Sequence, residues 1–271
     1  MPFIKTERIE FYYQMKGDGK NLLFISGTGG DLRLSPNAFD NNLKDNFQLL
    51  AYDQRGLGQT QIPDGPYTMK DYADDAACII EKFGWKKSLI LGVSFGGMVA
   101  QHLAIKYPSL VQKLVLLCTS SGGKHHSYPL HELEDLDPES HAKKLISLSD
   151  RRIDEKFINN NPDMYEMIFN QVMQYIRNGN DNKGKLLQLE ARKHHDTNKD
   201  LHKIKCPTLI AGGLYDQISP KENLEVLEDL IPGSFTKFFE GGHSFFLQDE
   251  KAWPKIIEFL KDDSDGLKVV N

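Results

Sequence analysis

The chain has 271 residues, of which 33 are basic and 38 acidic, so its formal net charge is −5. This length fits one large domain, or one domain with an insertion. The 15 Phe, 10 Tyr and 2 Trp supply ample core material, which excludes disorder as the dominant state. The mild acidity argues against nucleic acid as the main partner, because phosphate binding needs clustered positive charge.

The sequence contains no long apolar segment. No run approaches the ~20 residues needed to cross a bilayer, and Met1–Arg8 lacks the apolar core of a signal peptide. Cys78, Cys118 and Cys206 are odd in number, widely spaced and without a Cys-x-x-Cys pair, which is typical of reduced thiols. We therefore expect a cytoplasmic protein whose partner is a small molecule, with no membrane or nucleic-acid partner. The sequence leaves the oligomeric state, monomer or homodimer, open.

Short apolar runs alternate with helical patterns along the chain. An antiparallel edge strand is predicted at Arg8–Met15, followed by buried strands at Leu22–Ile25, Gln48–Tyr52, Leu89–Val93, Leu114–Cys118, Thr208–Gly212 and Phe235–Phe239. Helices are predicted at Tyr67–Phe83, with Thr68 as N-cap, and at Gly96–Lys106, Pro220–Leu230 and Trp253–Leu260. Because the strands are apolar throughout, both faces of the sheet should be covered. Strand–helix alternation predicts a parallel sheet with crossover helices, an α/β fold.

The alternation stops between Gly123 and Asp200, where the spacing of apolar residues is helical. We predict three or four amphipathic helices, so that residues 1–122 and 201–271 form the sheet domain and 123–200 a helical insertion. Within it, Met164, Met167, Met173 and Phe169 are predicted as the core stripe of a helix, with a substrate lining as the alternative. Asp262–Asn271 is predicted to be a polar tail.

The strongest motif is Gly92-Val93-Ser94-Phe95-Gly96-Gly97, which lies directly between a predicted strand and a predicted helix. A serine in such a tight turn exposes its hydroxyl, and glycines avoid collisions with neighbouring backbone. The following helix directs its N-terminus at the site, where it favours a developing negative charge. Ser94 is therefore predicted to be a nucleophile.

A serine nucleophile needs a base and a carboxylate that orients the base. Asp216 lies in the loop after strand Thr208–Gly212, and His243 follows strand Phe235–Phe239 within Glu240-Gly241-Gly242-His243. The order Ser94, Asp216, His243 is the order of a nucleophile-elbow hydrolase. No acidic residue directly follows Leu114–Cys118, where a substitute carboxylate would lie. Taken alone, His243 would be a surface-loop histidine.

An oxyanion hole is also needed for a tetrahedral intermediate. The backbone N–H of Phe95 is predicted as one donor, and the backbone N–H of Thr28, in the loop Ser26-Gly27-Thr28-Gly29-Gly30-Asp31, as the other. A simple glycine turn or a phosphate-binding loop remains an alternative for this loop. A dinucleotide loop is disfavoured, because no Gly-x-Gly-x-x-Gly opens a helix here.

The turn Asp53-Gln54-Arg55-Gly56-Leu57-Gly58-Gln59-Thr60 is similar to the Asp-x-Arg-Gly-x-Gly-x-Ser turn of α/β-hydrolases. With the motifs above, the chain resembles this superfamily, in the branch with a helical cap, over about residues 9–261. The resemblance implies a mostly parallel eight-stranded sheet flanked by helices, a cap inserted after the sixth strand, a pocket between cap and sheet, and no cofactor. In the family this turn is mostly structural, so Asp53 and Arg55 receive no catalytic role.

Three positions separate this chain from particular relatives. Many relatives have His-Gly where this chain has Ser26-Gly27, and many cofactor-free perhydrolases have Met where it has Phe95. Ser94 excludes the haloalkane dehalogenase and epoxide hydrolase patterns, which need Asp at this position for an alkyl-enzyme ester.

Two further groups of residues have less specific interpretations. The pairs His125-His126 and His194-His195 lack a third ligand on the same helix face, so no metal site is predicted. Arg33 is interpreted as a solvated or paired surface residue, with a contact to a substrate carboxylate as the alternative.

The sequence thus predicts a serine hydrolase that cleaves a small or medium carboxylic ester, lactone or thioester through an acyl-enzyme on Ser94. One alternative keeps the same three residues and hydrolyses a C–C bond in a diketone-type substrate. The other is a non-catalytic ligand receptor that has kept a hydrolase shell.

Overall fold

The computed structural model describes residues 2–179 and 183–262, which contain one eight-stranded sheet in the order β1-β2-β4-β3-β5-β6-β7-β8. The strands are β1 (Phe3–Lys5), β2 (Glu10–Lys16), β3 (Asn21–Ile25), β4 (Gln48–Tyr52), β5 (Ser88–Val93), β6 (Val111–Leu117), β7 (Thr208–Gly213) and β8 (Ser234–Phe239). β2 pairs antiparallel with β1 and β4, and the remaining pairs are parallel. The predicted mostly parallel α/β sheet is therefore confirmed. Apart from Asp262, the predicted polar tail lies outside the described residues.

Apolar residues cover both faces of the sheet, as their continuous runs predicted. Every residue of β5 is buried. One core cluster packs Tyr72, Val99 and Leu224 from three helices against one face, and a second packs Ile256 and Phe259 against the other. Removing this apolar surface from water is the main source of the sheet's stability.

The four predicted helices that cover the sheet begin and end close to their expected positions, and one short helix at Phe245–Gln248 was not predicted. They are α1 (Met69–Lys82), α2 (Phe95–Lys106), α7 (Lys221–Leu230), α8 (Phe245–Gln248) and α9 (Ala252–Lys261). Thr68 caps α1 as predicted: its Oγ1 accepts from the N–H of Asp71 at 3.2 Å, and the Asp71 carboxylate accepts from the N–H of Thr68 at 3.0 Å. This reciprocal capping box satisfies donors that the first helical turn leaves unpaired.

Four α-helices lie between β6 and β7 in the described residues. They are α3 (Pro138–Ser149), α4 (Glu155–Asn160), α5 (Pro162–Gly179) and α6 (Lys183–Lys193). The helical character of this segment agrees with the sequence pattern, whereas its division from the core at residues 123 and 200 stays a prediction. The predicted core stripe is wrong for Met164 and Met167, which are 52% and 53% exposed.

Two further expectations concern thiols and membranes. Cys78, Cys118 and Cys206 are free, and Cys118 is buried. Among the described residues, no helix combines the length and apolar character needed to span a membrane.

Buried polar side chains connect α2 to the two ends of the inserted segment. His102 Nε2 lies 3.1 Å from His195 Nδ1, and His195 Nε2 lies 3.0 Å from the carbonyl oxygen of Ser120. Because that carbonyl can only accept, His195 carries its proton on Nε2 and accepts from His102 on Nδ1. Alongside, Gln101 donates to Ser120 O at 3.0 Å and accepts from Thr197 Oγ1 at 2.7 Å. His195 is thus needed in its neutral form, because a protonated Nδ1 could not accept from His102.

The two histidines make stability depend on pH. Burial lowers the pKa of His102 to about 4 and that of His195 to about 3. An unfolded histidine titrates near 6.5, so their stabilising effect is complete above that pH and is lost as the pH falls toward 4. We expect the free energy of unfolding, from urea titrations, to fall over this window. In His102→Gln, which keeps a donor but does not titrate, the fall should be smaller by on the order of 3 kcal/mol. Parallel pH profiles for wild type and variant would contradict this account.

Candidate active site

Ser94 occupies a strained turn between β5 and α2. Its φ of 53° and ψ of −114° are rarely adopted by a residue with a side chain, and such strain costs on the order of 1–3 kcal/mol. Two hydrogen bonds hold it in place: the Ser94 N–H donates to Leu117 O at 2.8 Å, and Thr119 Oγ1 donates to Ser94 O at 2.8 Å. The loop after β6 therefore fixes the conformation of the serine.

The glycines around Ser94 are required by close backbone contacts. A Cβ on Gly96 would lie 2.1 Å from the carbonyl oxygen of Ile25, and one on Gly92 would lie 2.3 Å from that of Gly96. A Cβ on Gly97 would lie 2.7 Å from the Cβ of Thr119. The absence of these side chains lets α2 approach the ends of β3 and β6, which confirms the steric reason given for the motif.

The structure brings the three predicted residues together. His243 Nε2 lies 3.0 Å from Ser94 Oγ, and His243 Nδ1 lies 2.7 Å from Asp216 Oδ2. The other carboxylate oxygen of Asp216 accepts from the N–H groups of Ile218 and Ser219 at 2.8 and 3.0 Å. Asp216 is thus held so that it accepts from Nδ1–H, which leaves the Nε2 lone pair of His243 directed at the serine hydroxyl.

The end of α3 binds the loops that carry Asp216 and His243. The N–H of Gln217 donates to Leu148 O at 2.9 Å, and the N–H of His243 donates to Ser149 O at 2.6 Å. The N–H of Arg151 donates to Tyr215 O at 3.0 Å. These backbone bonds were not predicted, because no residue type in the sequence marks a main-chain contact between distant segments.

The two predicted oxyanion donors are available. Within the described part of the chain, neither the Thr28 N–H nor the Phe95 N–H donates to another residue. The loop is held by its neighbours instead: the Gly29 N–H donates to Gln188 Oε1 at 2.9 Å, and Tyr175 Oη donates to Thr28 O at 3.2 Å. Sequence reasoning missed Gln188 and Tyr175. A polar residue on the buried face of an amphipathic helix was the only signal, and it does not reveal its partner.

The turn after β4 forms hydrogen bonds with the same loop and with the residue that follows it. Asp53 accepts from the N–H groups of Leu32 and Gln59 at 2.8 and 2.9 Å, and Gln54 Nε2 donates to Ser26 O at 2.8 Å. Burial raises the pKa of Asp53 to about 6, an effect that these backbone donors partly oppose. These contacts fit the structural role implied by the family turn.

A cleft of about 870 Å³ is lined by the chain neighbours of Ser94 and His243, although neither of these two residues is part of its lining. Its lining includes the whole loop Ser26–Asp31, Tyr175 from α5, and Phe246. Val93, which precedes Ser94, and Ser244, which follows His243, also line it. Arg33 also lines it, but its guanidinium is bound to Asp31 at 2.6 Å. The paired-residue interpretation of Arg33 therefore holds.

Known proteins resemble this chain over most of its length. A family model described as alpha/beta hydrolase fold matches residues 20–250. A poly(3-hydroxyalkanoate) depolymerase from Ectopseudomonas oleovorans is 28% identical over 89% of this chain and 84% of its own length. The proline iminopeptidase PfmaB from Pestalotiopsis fici is 32% identical over 67% of this chain and 69% of its own length. The structure of a thermophilic esterase from Thermogutta terrifontis is 25% identical, with a TM-score of 0.76, and the match covers 96% of this chain and 97% of that one.

The close approach of α2 to β3 predicts a large cost for one methyl group. Gly96→Ala should lower the free energy of unfolding by about 3 kcal/mol, because the new Cβ would collide with backbone that cannot move independently. Gly84→Ala is the control: its φ is +68°, but no atom lies within 4 Å of the added Cβ, so it should cost only about 1 kcal/mol. Urea unfolding of both variants measures the difference. Equal losses would mean that the backbone at Gly96 can relax.

Proposed function

Because this chain belongs to the α/β-hydrolase family, we propose that it is a serine hydrolase that cleaves a small or medium carboxylic ester, lactones and thioesters included. The observation that supports this most directly is the hydrogen-bonded series Ser94 Oγ, His243 Nε2, His243 Nδ1 and Asp216 Oδ2, with contacts of 3.0 and 2.7 Å. A serine hydroxyl becomes a useful nucleophile only beside such a base.

The proposed reaction has two stages. Ser94 Oγ attacks the carbonyl carbon while His243 Nε2 takes its proton, and the resulting tetrahedral oxyanion collapses as His243 returns the proton to the leaving alcohol oxygen. Water then attacks the acyl-enzyme with its proton passing to His243, and the acid leaves as Ser94 regains its hydrogen. Asp216 holds the imidazole in the required tautomer and stabilises its charged form.

The oxyanion is assigned to the free N–H groups of Phe95, which follows Ser94 in the chain, and of Thr28. Thr28 follows Gly27, whose added Cβ would lie 3.5 Å from the Cβ of Ser94. Fixed donors stabilise a charge that develops only in the transition state, since they need no reorganisation when the reaction occurs. The N-terminus of α2 adds a favourable dipole at the same point. The reaction requires no cofactor, because each proton transfer is assigned to His243.

The named activities of similar proteins agree with acyl chemistry but differ in the bond cleaved. The relatives include a depolymerase and an esterase, but also a proline iminopeptidase. His243 would protonate an amine leaving group as well as an alcohol, so the choice of an ester for this chain rests on its likeness to the esterase. The small-molecule partner and the cytoplasmic location stay predictions.

Ser94→Ala should abolish turnover without unfolding the protein. We expect kcat/KM for nitrophenyl esters to fall by about 10⁴-fold or more, and the free energy of unfolding to change by no more than about 1 kcal/mol. A fluorophosphonate probe should label the wild type on Ser94 and leave the variant unlabelled. Ser147→Ala, on the exposed surface of α3, is the matched serine control and should label like the wild type.

Two outcomes would count against the proposal. A folded wild type that takes no label and turns over no ester would favour the receptor alternative. Faster turnover of ring-cleavage diketones than of esters, lost in Ser94→Ala, would favour the C–C hydrolase alternative with the same nucleophile.

Tyr175 gives a test of the oxyanion loop itself. Burial raises the pKa of Tyr175 to about 12, so its hydroxyl stays protonated and donates to Thr28 O at 3.2 Å. Tyr175→Phe should lower kcat for a nitrophenyl ester by about threefold to tenfold, with little change in KM, because the loss affects the position of the oxyanion donor. Tyr165→Phe, on the same helix, is the control. A change confined to KM would show that Tyr175 binds substrate and does not position the loop.

A further inference from the structure

A second cavity, of about 270 Å³, lies beside α2 at the base of the inserted segment. It is lined by Met98 from α2, by Ser120, Ser127 and His131 from the chain after β6, and by Arg192 at the end of α6. It shares no lining residue with the cleft beside Ser94. Its ligand would therefore bind outside the proposed ester site.

Arg192 is a buried cation without a counter-charge. The residue is 7% exposed, and its Nη2 donates to the neutral hydroxyl of Ser127 at 2.7 Å. Its Nε–H is buried and finds no acceptor among the residues that the structure describes. Among residues 2–179 and 183–262 no carboxylate forms an ion pair with it, and burial alone lowers the pKa of Arg192 to about 10.

The acidic residues nearby do not compensate this charge. Glu190, two residues earlier in α6, is directed at other partners, Lys193 at 2.8 Å and His194 at 3.4 Å. Glu132 lines the cavity but makes no ion pair with Arg192. A buried charge that lacks a partner destabilises the fold, and a buried donor that lacks an acceptor adds to this cost. An anion that entered the cavity would remove both costs.

We propose that this cavity binds the carboxylate of a small organic acid. The planar guanidinium presents Nε–H and a second Nη2–H along one edge, which matches the two oxygens of a carboxylate. Ser127 Oγ already accepts from Nη2, so its own hydrogen is free to donate to the same carboxylate. Met98 offers an apolar surface for the carbon chain of the acid.

The cavity also adjoins the residue that fixes the nucleophile. Ser120 is in its wall, and the preceding residue, Thr119, donates to Ser94 O. The site does not depend on the ester chemistry, however, and can be tested by binding alone.

Calorimetric titration and thermal unfolding with acetate, butyrate and succinate test the proposal, with acetamide and butyramide as neutral controls and inorganic phosphate and chloride as other anions. The variants are Arg192→Met, which removes the charge and keeps an apolar chain, and Arg192→Lys, which keeps the charge but lacks the two N–H donors along one edge of the guanidinium. Arg177→Met, at the exposed end of α5, is the matched control.

We expect the carboxylates, and not the amides, to bind the wild type and Arg177→Met and to raise their Tm. Arg192→Met should weaken carboxylate binding by about tenfold or more, with Arg192→Lys intermediate. Without ligand, Arg192→Met should be at least as stable as the wild type, because it removes an uncompensated buried charge.

Three results would overturn the proposal. Carboxylate binding that is equal in wild type and Arg192→Met would place the acid elsewhere, including the cleft beside Ser94. Equal effects of phosphate or chloride would show a site for anions in general. No binding, together with a lower Tm for Arg192→Met and Arg192→Lys, would assign Arg192 a purely structural role. None of these results bears on labelling or turnover at Ser94.

Discussion

The site depends on how closely the N-terminus of α2 approaches the ends of β3 and β6. This approach turns Ser94 out of the normal backbone regions and places Gly96 against the backbone of Ile25 and Ser26, where the loop after β3 begins. The strain at Ser94 is opposed by hydrogen bonds from its own N–H and to its own carbonyl, both made with residues at the end of β6. Packing of α2 against the sheet thus sets the conformation of Ser94. Asp216 and His243 then complete the site from the loops after β7 and β8.

The buried polar groups around this centre differ in whether they have hydrogen-bond partners. Asp216, Asp53 and Gln101 are buried, and each has its hydrogen bonds supplied by nearby backbone or side chains. Arg192 is also buried, but its Nε–H has no acceptor among the described residues. Polar groups in a folded interior are normally paired, and the other buried side-chain atoms without a partner in the described part of the chain belong to neutral groups, among them Gln54 and Gln188. Arg192 differs from these in carrying a charge, which an anionic ligand would neutralise.

The sequence was sufficient to predict an element wherever a local pattern of residues is compatible with only one structure. The apolar runs predicted the buried strands, Thr68 predicted the start of α1, and the glycines around Ser94 predicted the tight turn. Asp216 and His243 were found because loops after parallel strands gather at one edge of a sheet. These predictions needed only short-range rules and the order of the strands.

What was missed depends on docking between distant segments. β1 has three residues and is defined only by its pairing with β2. The exposure of Met164 and Met167 was predicted wrongly, because helical spacing identifies a face of α5 but not the surface that this face meets. The contacts of Tyr175 and Gln188 with the loop at Thr28 were missed for the same reason.

The backbone bonds from the end of α3 have a consequence for how such a protein could change its specificity. Leu148, Ser149 and Arg151 are joined through main-chain atoms to the loops that hold the acid and the base. The end of α3 is therefore part of the scaffold of the reaction centre. Exchange of the inserted helices for those of another family member would change substrate choice and proton transfer together, so new substrates are reached more readily by changing side chains within the helices than by replacing them.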